Sequence, residues 1–257
     1  MKTVSKTGWY GLRIAVTAIG VSFLLQGCAY NAERQKMFTY HFQMGVSKLG
    51  EKNPTGALVE LTEAERINPD DTELLFYLAR AYFEKKKFLL AEDKYLQLLK
   101  IQPAHSAARN DLGVTYLEMQ RWDDAISQFK LVLDDIFYQG HEEARLNLGL
   151  AYYGRGDYAK ALSEFRPLLM TIPRDPRPRY NLGRVYMAMG KTDMAVAELA
   201  RAIEIYPGYA LAHYQLGLVY QKDGNALRAR ESFSEALRLA PDTELGELAR
   251  EQILLLK

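Results

Sequence analysis

Gly45, Ala79, Gly113, Gly149, Gly183 and Gly217 follow one another at steps of 34, 34, 36, 34 and 34 residues. This internal period limits what the chain can fold into more than any other feature. Around it a Leu-Gly-x-x-Tyr signature recurs: Leu112-Gly113 with Tyr116, Leu148-Gly149 with Tyr152, Leu182-Gly183 with Tyr186, and Leu216-Gly217 with Tyr220. Leu78-Ala79 with Tyr82 is a variant, and Met44-Gly45 with Lys48 is a degenerate first copy. Twelve residues after each small residue stands an alanine (Ala57, Ala91, Ala125, Ala161, Ala195, Ala229). Four further on is a bulky apolar side chain: Leu61, Tyr95, Phe129, Phe165, Leu199 or Phe233. Proline closes five copies (Pro69, Pro103, Pro173, Pro207, Pro241), and Phe137 holds that place in the third.

The spacing predicts two helices per unit. Small residues on both let the pair approach closely, and the bulky group fills the remaining gap. Gly156-Asp157, Gly190-Lys191 and Gly224-Asn225 mark turns between paired helices. The closing proline stops the second helix, because it has no N–H to donate and clashes with the preceding turn. This pattern resembles the tetratricopeptide repeat. The resemblance implies an all-α, right-handed superhelical solenoid of six repeats, at 38–71, 72–105, 106–141, 142–175, 176–209 and 210–243. One such unit cannot bury its apolar face alone, so the units must stack. Residues 244–257 form one more amphipathic segment, expected as a capping helix in which Leu245, Leu248, Ile253 and Leu256 cover the last repeat.

In tetratricopeptide arrays the first helix of each unit lines a concave protein-binding face, and the register assigns its residues here. One row is Phe42, Phe76, Asn110, Leu146, Tyr180 and Tyr214. One turn on come Val46, Arg80, Val114, Leu150, Arg184 and Leu218, and a third row holds Leu49, Phe83, Leu117, Tyr153, Met187 and Gln221. Four of the six middle-row residues are aliphatic. An apolar strip of this kind suits an amphipathic helix or an extended apolar peptide, with Arg80 and Arg184 able to pair with its acidic side chains. The opposing expectation is that curvature buries much of the strip between repeats. The Lys and Asn set with which some arrays clamp a chaperone tail's carboxylate is missing from these rows.

The junction from Leu133 to His141 departs from the period, with two extra residues, no closing proline and the adjacent aromatics Phe137 and Tyr138. It reads either as a tolerated surface insertion or as a contact site formed by Phe137 and Tyr138, since irregular loops on regular scaffolds carry function.

The first 28 residues read as an export address. Lys2, Lys6 and Arg13 precede the uncharged run Ile14–Leu25, which is about 18 Å long as a helix and too short for a hydrocarbon core of about 30 Å. Leu25-Gln26-Gly27-Cys28 resembles a lipoprotein lipobox, in which the cysteine is acylated and becomes the first residue after cleavage. The alternatives are an ordinary cleaved signal with a chance cysteine, or an uncleaved anchor. The boundaries expected are 1–27 for the signal peptide and 28–37 for a lipidated tether. Ala29 rather than aspartate follows the cysteine, which by resemblance to lipoprotein sorting places the protein on the outer membrane, facing the periplasm. Loss of residues 1–27 would move the formal charge from +1 to −2.

Near-neutral charge gives no support for nucleic-acid binding. With Cys28 as the sole cysteine there is no disulfide framework or cysteine-rich zinc site. His41, His105, His141 and His213 do not fall at metal-ligand spacing, and no nucleophile–base set or phosphate loop stands out. The expectation is a non-enzyme with no cofactor, metal or small-molecule substrate. A lipoprotein signal, six repeats, an irregular aromatic junction and the stretch Glu142–Leu150 together resemble the type IV pilus biogenesis lipoproteins known as pilotins. That resemblance implies a protein client, a secretin subunit foremost, whose outer-membrane localisation or multimer assembly is assisted. The alternative is an envelope adaptor lipoprotein for cell-wall hydrolases, proteases or outer-membrane protein assembly.

Overall fold

The computed structural model describes residues 31–256 and is all-α, with thirteen helices and no strand among the described residues. The signal peptide and Cys28 lie outside the described residues. The chain divides into two compact units, one ending at Ala104 and the other beginning at His105.

The first unit contains α1 (helical over 31–50), α2 (Pro54–Ile67), α3 (Thr72–Glu84) and α4 (Phe88–Ile101). Residues 31–37, expected as a tether, are helical and exposed and run directly into the first repeat. The core gathers Phe38, Leu61, Leu74 and Leu78 around Ala57, Ala64 and Ala81. The second unit contains α5 (Ser106–Glu118), α6 (Trp122–Leu133), α7 (His141–Arg155), α8 (Tyr158–Thr171), α9 (Pro176–Ala188), α10 (Thr192–Ile205), α11 (Ala210–Lys222), α12 (Ala226–Leu239) and α13 (Glu244–Leu255). Consecutive helices in it pack as antiparallel pairs that stack on one another, and α5–α7, α7–α9 and α9–α11 also touch.

The recurring small residue has one cause throughout. In each glycine-bearing copy the bulky side chain sixteen residues later lies on the glycine. A Cβ at Gly113 would stand 2.6 Å from Phe129, at Gly149 2.4 Å from Phe165, at Gly183 2.6 Å from Leu199, and at Gly217 2.6 Å from Phe233. Those four bulky side chains are fully buried. After the second helix of five copies, the cap residue donates its N–H back to the carbonyl four residues earlier (Asn68, Gln102, Ile172, Tyr206, Ala240), and the next residue is the closing proline.

The turns inside the repeats all need one left-handed residue. Gly156, Gly190 and Gly224 supply it in the last three copies at φ of 88°, 72° and 77°. Lys52, Lys86 and Gln120 supply it in the first three at φ of 56°, 55° and 56°, where a Cβ is unfavourable.

The cap seals through two of the four residues expected, Ile253 and Leu256, and otherwise through small residues. Leu248 is exposed and Leu245 only half-buried, whereas Gly246, Ala249 and Leu256 are buried and Ile253 packs against the α12 core. Small residues carry the contact because α13 crosses the end of α12 at backbone distance: a Cβ on Gly246 would lie 2.1 Å from the Ala240 carbonyl oxygen. Gln221 and Gln252 join α11 to α13 at 3.0 Å.

Lys86→Gly should raise stability by about 0.5–1 kcal/mol, the relief of left-handed strain exceeding the added freedom of the unfolded chain. Gly246→Ala should lower it by about 2 kcal/mol, because backbone and not a flexible side chain must give way. Urea denaturation of each variant measures both, and a stabilised Gly246→Ala protein would refute the described seal.

Candidate protein-binding surfaces

The first-helix rows are positioned by the same packing. With one helix face committed to the ring-on-glycine contact, the residues three before and one after the glycine turn away from the partner helix. In the first unit Phe42 stacks on Phe38 with centroids 5.9 Å apart and meets Tyr77 edge-on at 5.7 Å. Phe76 meets Tyr95 edge-on at 6.2 Å, and the exposed Arg80 guanidinium lies 5.8 Å from the Phe76 ring. Val46 is half-buried beside them in sequence register.

In the second unit the rows lie on the mutually touching helices α5, α7, α9 and α11. Asn110 and Leu146 are buried in the floor, while Tyr180 and Tyr214 are half-buried. Val114, Leu150, Arg184 and Leu218, the middle row, are all half-buried. Curvature therefore buries part of the first row and leaves the middle row partly open. Of the third row, Leu117, Tyr153 and Met187 stay half-buried, and Gln221 is taken up by the cap.

Arg184 is the most constrained cation of this strip. Its guanidinium lies 4.4 Å from the Tyr153 ring centroid and 5.6 Å from that of Tyr180, and its Nη1 donates to Asn181 Oδ1 at 3.1 Å. Stacking on two rings holds the planar group in place while leaving other N–H groups for a carboxylate. Tyr180 in turn contacts Tyr209 at 5.2 Å. Burial, helped by Tyr180, pushes the Tyr209 phenol up to about 12, and burial raises Tyr180 as well. Asn110 Nδ2 donates to Asp111 at 3.2 Å, but its buried Oδ1 has no hydrogen-bond partner, leaving one acceptor in the groove floor unmatched.

The junction separates its two aromatics. Phe137 is 86% exposed. Tyr138 turns back, half-buried, over Gly140 and meets His141 edge-on at 6.1 Å. The neighbour that shares Phe137's exposure is Ile136, at 80%, which sequence reasoning passed over because attention fell on the aromatic pair.

A second feature missed from sequence is a cross-link between paired helices at a fixed offset of 19 residues. It joins His41 to Glu60 at 2.8 Å, Arg109 to Gln128 at 3.2 Å, Arg145 to Glu164 at 3.1 Å and Arg179 to Glu198 at 2.9 Å. The signal was legible as a polar residue just before the first row answered by Glu or Gln 19 places on. These pairs fix helix register and are partly solvated, so each adds little stability. Among the described residues no cluster of three His, Cys, Asp or Glu could hold a metal ion, and no helix is long and apolar enough to cross a membrane.

A tetratricopeptide repeat family model matches residues 42–106, 87–141 and 110–176, a second tetratricopeptide model matches 210–243, and a TPR repeat model matches 183–224. Among solved structures, PilW, titled a widely conserved type IV pilus biogenesis factor, is 19% identical with a TM-score of 0.73, over 83% of this chain and 98% of its own. PilF of Pseudomonas aeruginosa is 18% identical with a TM-score of 0.66, over 86% and 99%. YrrB, titled a TPR protein with an unusual peptide-binding site, is 21% identical with a TM-score of 0.52, over 74% and 97%. At these identities the likeness is one of fold. No curated protein matches the sequence.

The raised phenol gives a pH prediction. Tyr209 is neutral in both states below pH 10, and between 10 and about 12 only the unfolded chain ionises it. Stability contributed by this site is therefore lost as pH rises through that window. Tyr209→Phe should flatten the alkaline decline in melting temperature, and a slope identical to that of the parent would refute the buried placement.

Proposed function

Since the chain belongs to the tetratricopeptide repeat family, whose members bind protein partners, we propose that it is an outer-membrane-anchored lipoprotein scaffold acting as a type IV pilus pilotin. In this reading Cys28 is acylated, the array faces the periplasm, and the client is a secretin subunit whose localisation or multimer assembly it assists. Two or three acyl chains on one cysteine anchor stably, where one would not. The observation that carries the client reading is that the likeness of fold extends over 98% and 99% of the length of two pilus biogenesis proteins. The lipobox-like Leu25–Cys28 adds an independent envelope address.

The groove residues proposed for client contact are Phe42, Val46, Phe76 and Arg80 in the first unit. In the second they are Asn110, Val114, Leu146, Leu150, Tyr180, Arg184, Tyr214 and Leu218. Half-buried aliphatic side chains on adjacent helices favour an apolar client segment, and Arg184, held by two tyrosines, favours an acidic side chain on it. Tethering contributes a high local concentration at the membrane without any change of fold. The polar ligand-metal and nucleophile–base features of an enzyme play no part in the proposal.

The decisive test is a crosslinked pull-down from outer membranes, paired with a gel for heat-resistant secretin multimers in a deletion strain. Secretin capture and loss of multimers are expected. Intact multimers with capture of a hydrolase or an assembly factor would replace the pilotin reading by that of an envelope adaptor. Val114→Asp with Leu150→Asp should weaken capture by about tenfold or more, equivalent to about 1.4 kcal/mol, with helicity retained. Capture unchanged in the folded double variant would move the site out of the groove. Cys28→Ser should leave the fold intact and release the protein from the membrane fraction, and unchanged fractionation would refute the anchor.

A further inference from the structure

The most exposed large apolar side chains of the described residues are Phe137 at 86%, Met170 at 84% and Ile136 at 80%. All three stand where a second helix ends in consecutive repeats: Ile136 and Phe137 just after α6, and Met170 in the last turn of α8, 36 residues after Asp134.

Ile136 and Phe137 are held out by a built turn. The Tyr138 N–H donates to the Asp135 carbonyl at 3.1 Å, which closes a four-residue turn with Ile136 and Phe137 as its central pair. The Asp135 carboxylate locks it from both sides, accepting from the Phe137 N–H at 3.0 Å and from the Ser106 hydroxyl at 2.5 Å. These bonds, Ser106's first, hold the carboxyl below the usual range, so it stays ionised and the turn stays closed at neutral pH. Tyr138 anchors the far side against His141. The tip is thus pre-ordered, which lowers the entropy lost when it docks.

The outward placement of Ile136 and Phe137 does not serve the fold. Two large apolar groups face water, and Phe137 replaces the proline that closes the other copies. Asp134, exposed, is the C-cap of α6, where the helix dipole disfavours a negative charge. Of the four acids in 133–143, Glu143 is paired with Arg177 at 3.0 Å, and Asp134, Asp135 and Glu142 carry the remaining charge. An anionic lipid surface would repel such a flank, whereas a basic protein rim would attract it.

We propose that the Asp135–Tyr138 turn is a docking knob, in which Ile136 and Phe137 enter an apolar pocket of a partner protein whose rim carries lysine or arginine side chains facing Asp134. The knob is a separate contact from the groove and does not depend on the groove's client.

The test places a photoreactive benzoylphenylalanine at position 137 of the full-length protein in the cells that express it. The expected result is a single protein adduct mapping to an apolar patch bordered by Lys or Arg. Its yield should fall at least fivefold with Asp134→Lys and persist with Val114→Asp and Leu150→Asp. With the photoprobe moved to position 136, Phe137→Ala should lower the yield to a similar degree. Both substitutions lie at exposed positions, and the circular dichroism melt should be unchanged or, for Asp134→Lys, raised. Adducts to phospholipid alone, to a second copy of this chain, or of a yield indifferent to Asp134→Lys would each overturn the proposal, as would loss of the adduct in the groove variant.

Discussion

The contact between a bulky side chain and a glycine sixteen residues earlier sets the geometry of each glycine-bearing repeat. Phe129, Phe165 and Phe233 press ring atoms to within about 2.4–2.8 Å of where a Cβ would stand on Gly113, Gly149 and Gly217, and Leu199 does the same at Gly183. A contact this close fixes both the separation and the rotation of the paired helices, because a side chain at the glycine would force them apart. Once rotation is fixed, the residues that look out of each pair are fixed too. Close packing makes such an arrangement all-or-none, not graded. The outward-facing rows are therefore a by-product of the core: Val114, Leu150 and Leu218 are half-open because Gly113, Gly149 and Gly217 next to them are closed.

This dependence explains why so much was legible. The 34-residue step, the alternation of small and bulky positions and the closing prolines each answer a steric demand, and steric demands leave a trace at fixed sequence spacing. The family, the all-α class and the paired helices followed from them. What escaped was of another kind. Of the cap residues expected, Ile253 and Leu256 seal and Leu245 and Leu248 do not, because hydrophobic periodicity does not register that Gly246 lets α13 approach the backbone carbonyl of Ala240. Small residues are silent in a hydrophobic pattern even when they decide the packing distance.

Ile136 escaped for a related reason. The junction breaks the period, and outside the period the sequence gives no register by which to assign inside and outside. Only the Asp135 hydrogen bonds, one to Ser106 across a helix start and one to its own turn, decide that Phe137 points out and Tyr138 folds back. The cross-links at 19 residues, such as Arg145 to Glu164 and Arg179 to Glu198, were readable in principle. They went unread because charged residues at helix surfaces are common and a lone pair carries no register. Their recurrence does.

Turn chemistry then distinguishes the two ends of the array. The last three copies place glycine at the left-handed residue and the first three place Lys52, Lys86 and Gln120 there, so the same loop carries more strain toward the N-terminal end. The first copy also lacks the Leu-Gly-x-x-Tyr tyrosine, having Lys48 instead. In the first copy strain and a thinner core act together, because the Lys52 turn relies on α1 and α2, which bury few side chains. Local opening free energies in repeat arrays follow the local sum of such terms rather than a single global value. The first copy would then be the one that opens most readily. The rows on α5, α7, α9 and α11 sit instead on repeats with glycine turns, with the one exception of the Gln120 turn. A surface that holds Arg184 between two tyrosines benefits from being built on the part of the chain whose turns are least strained.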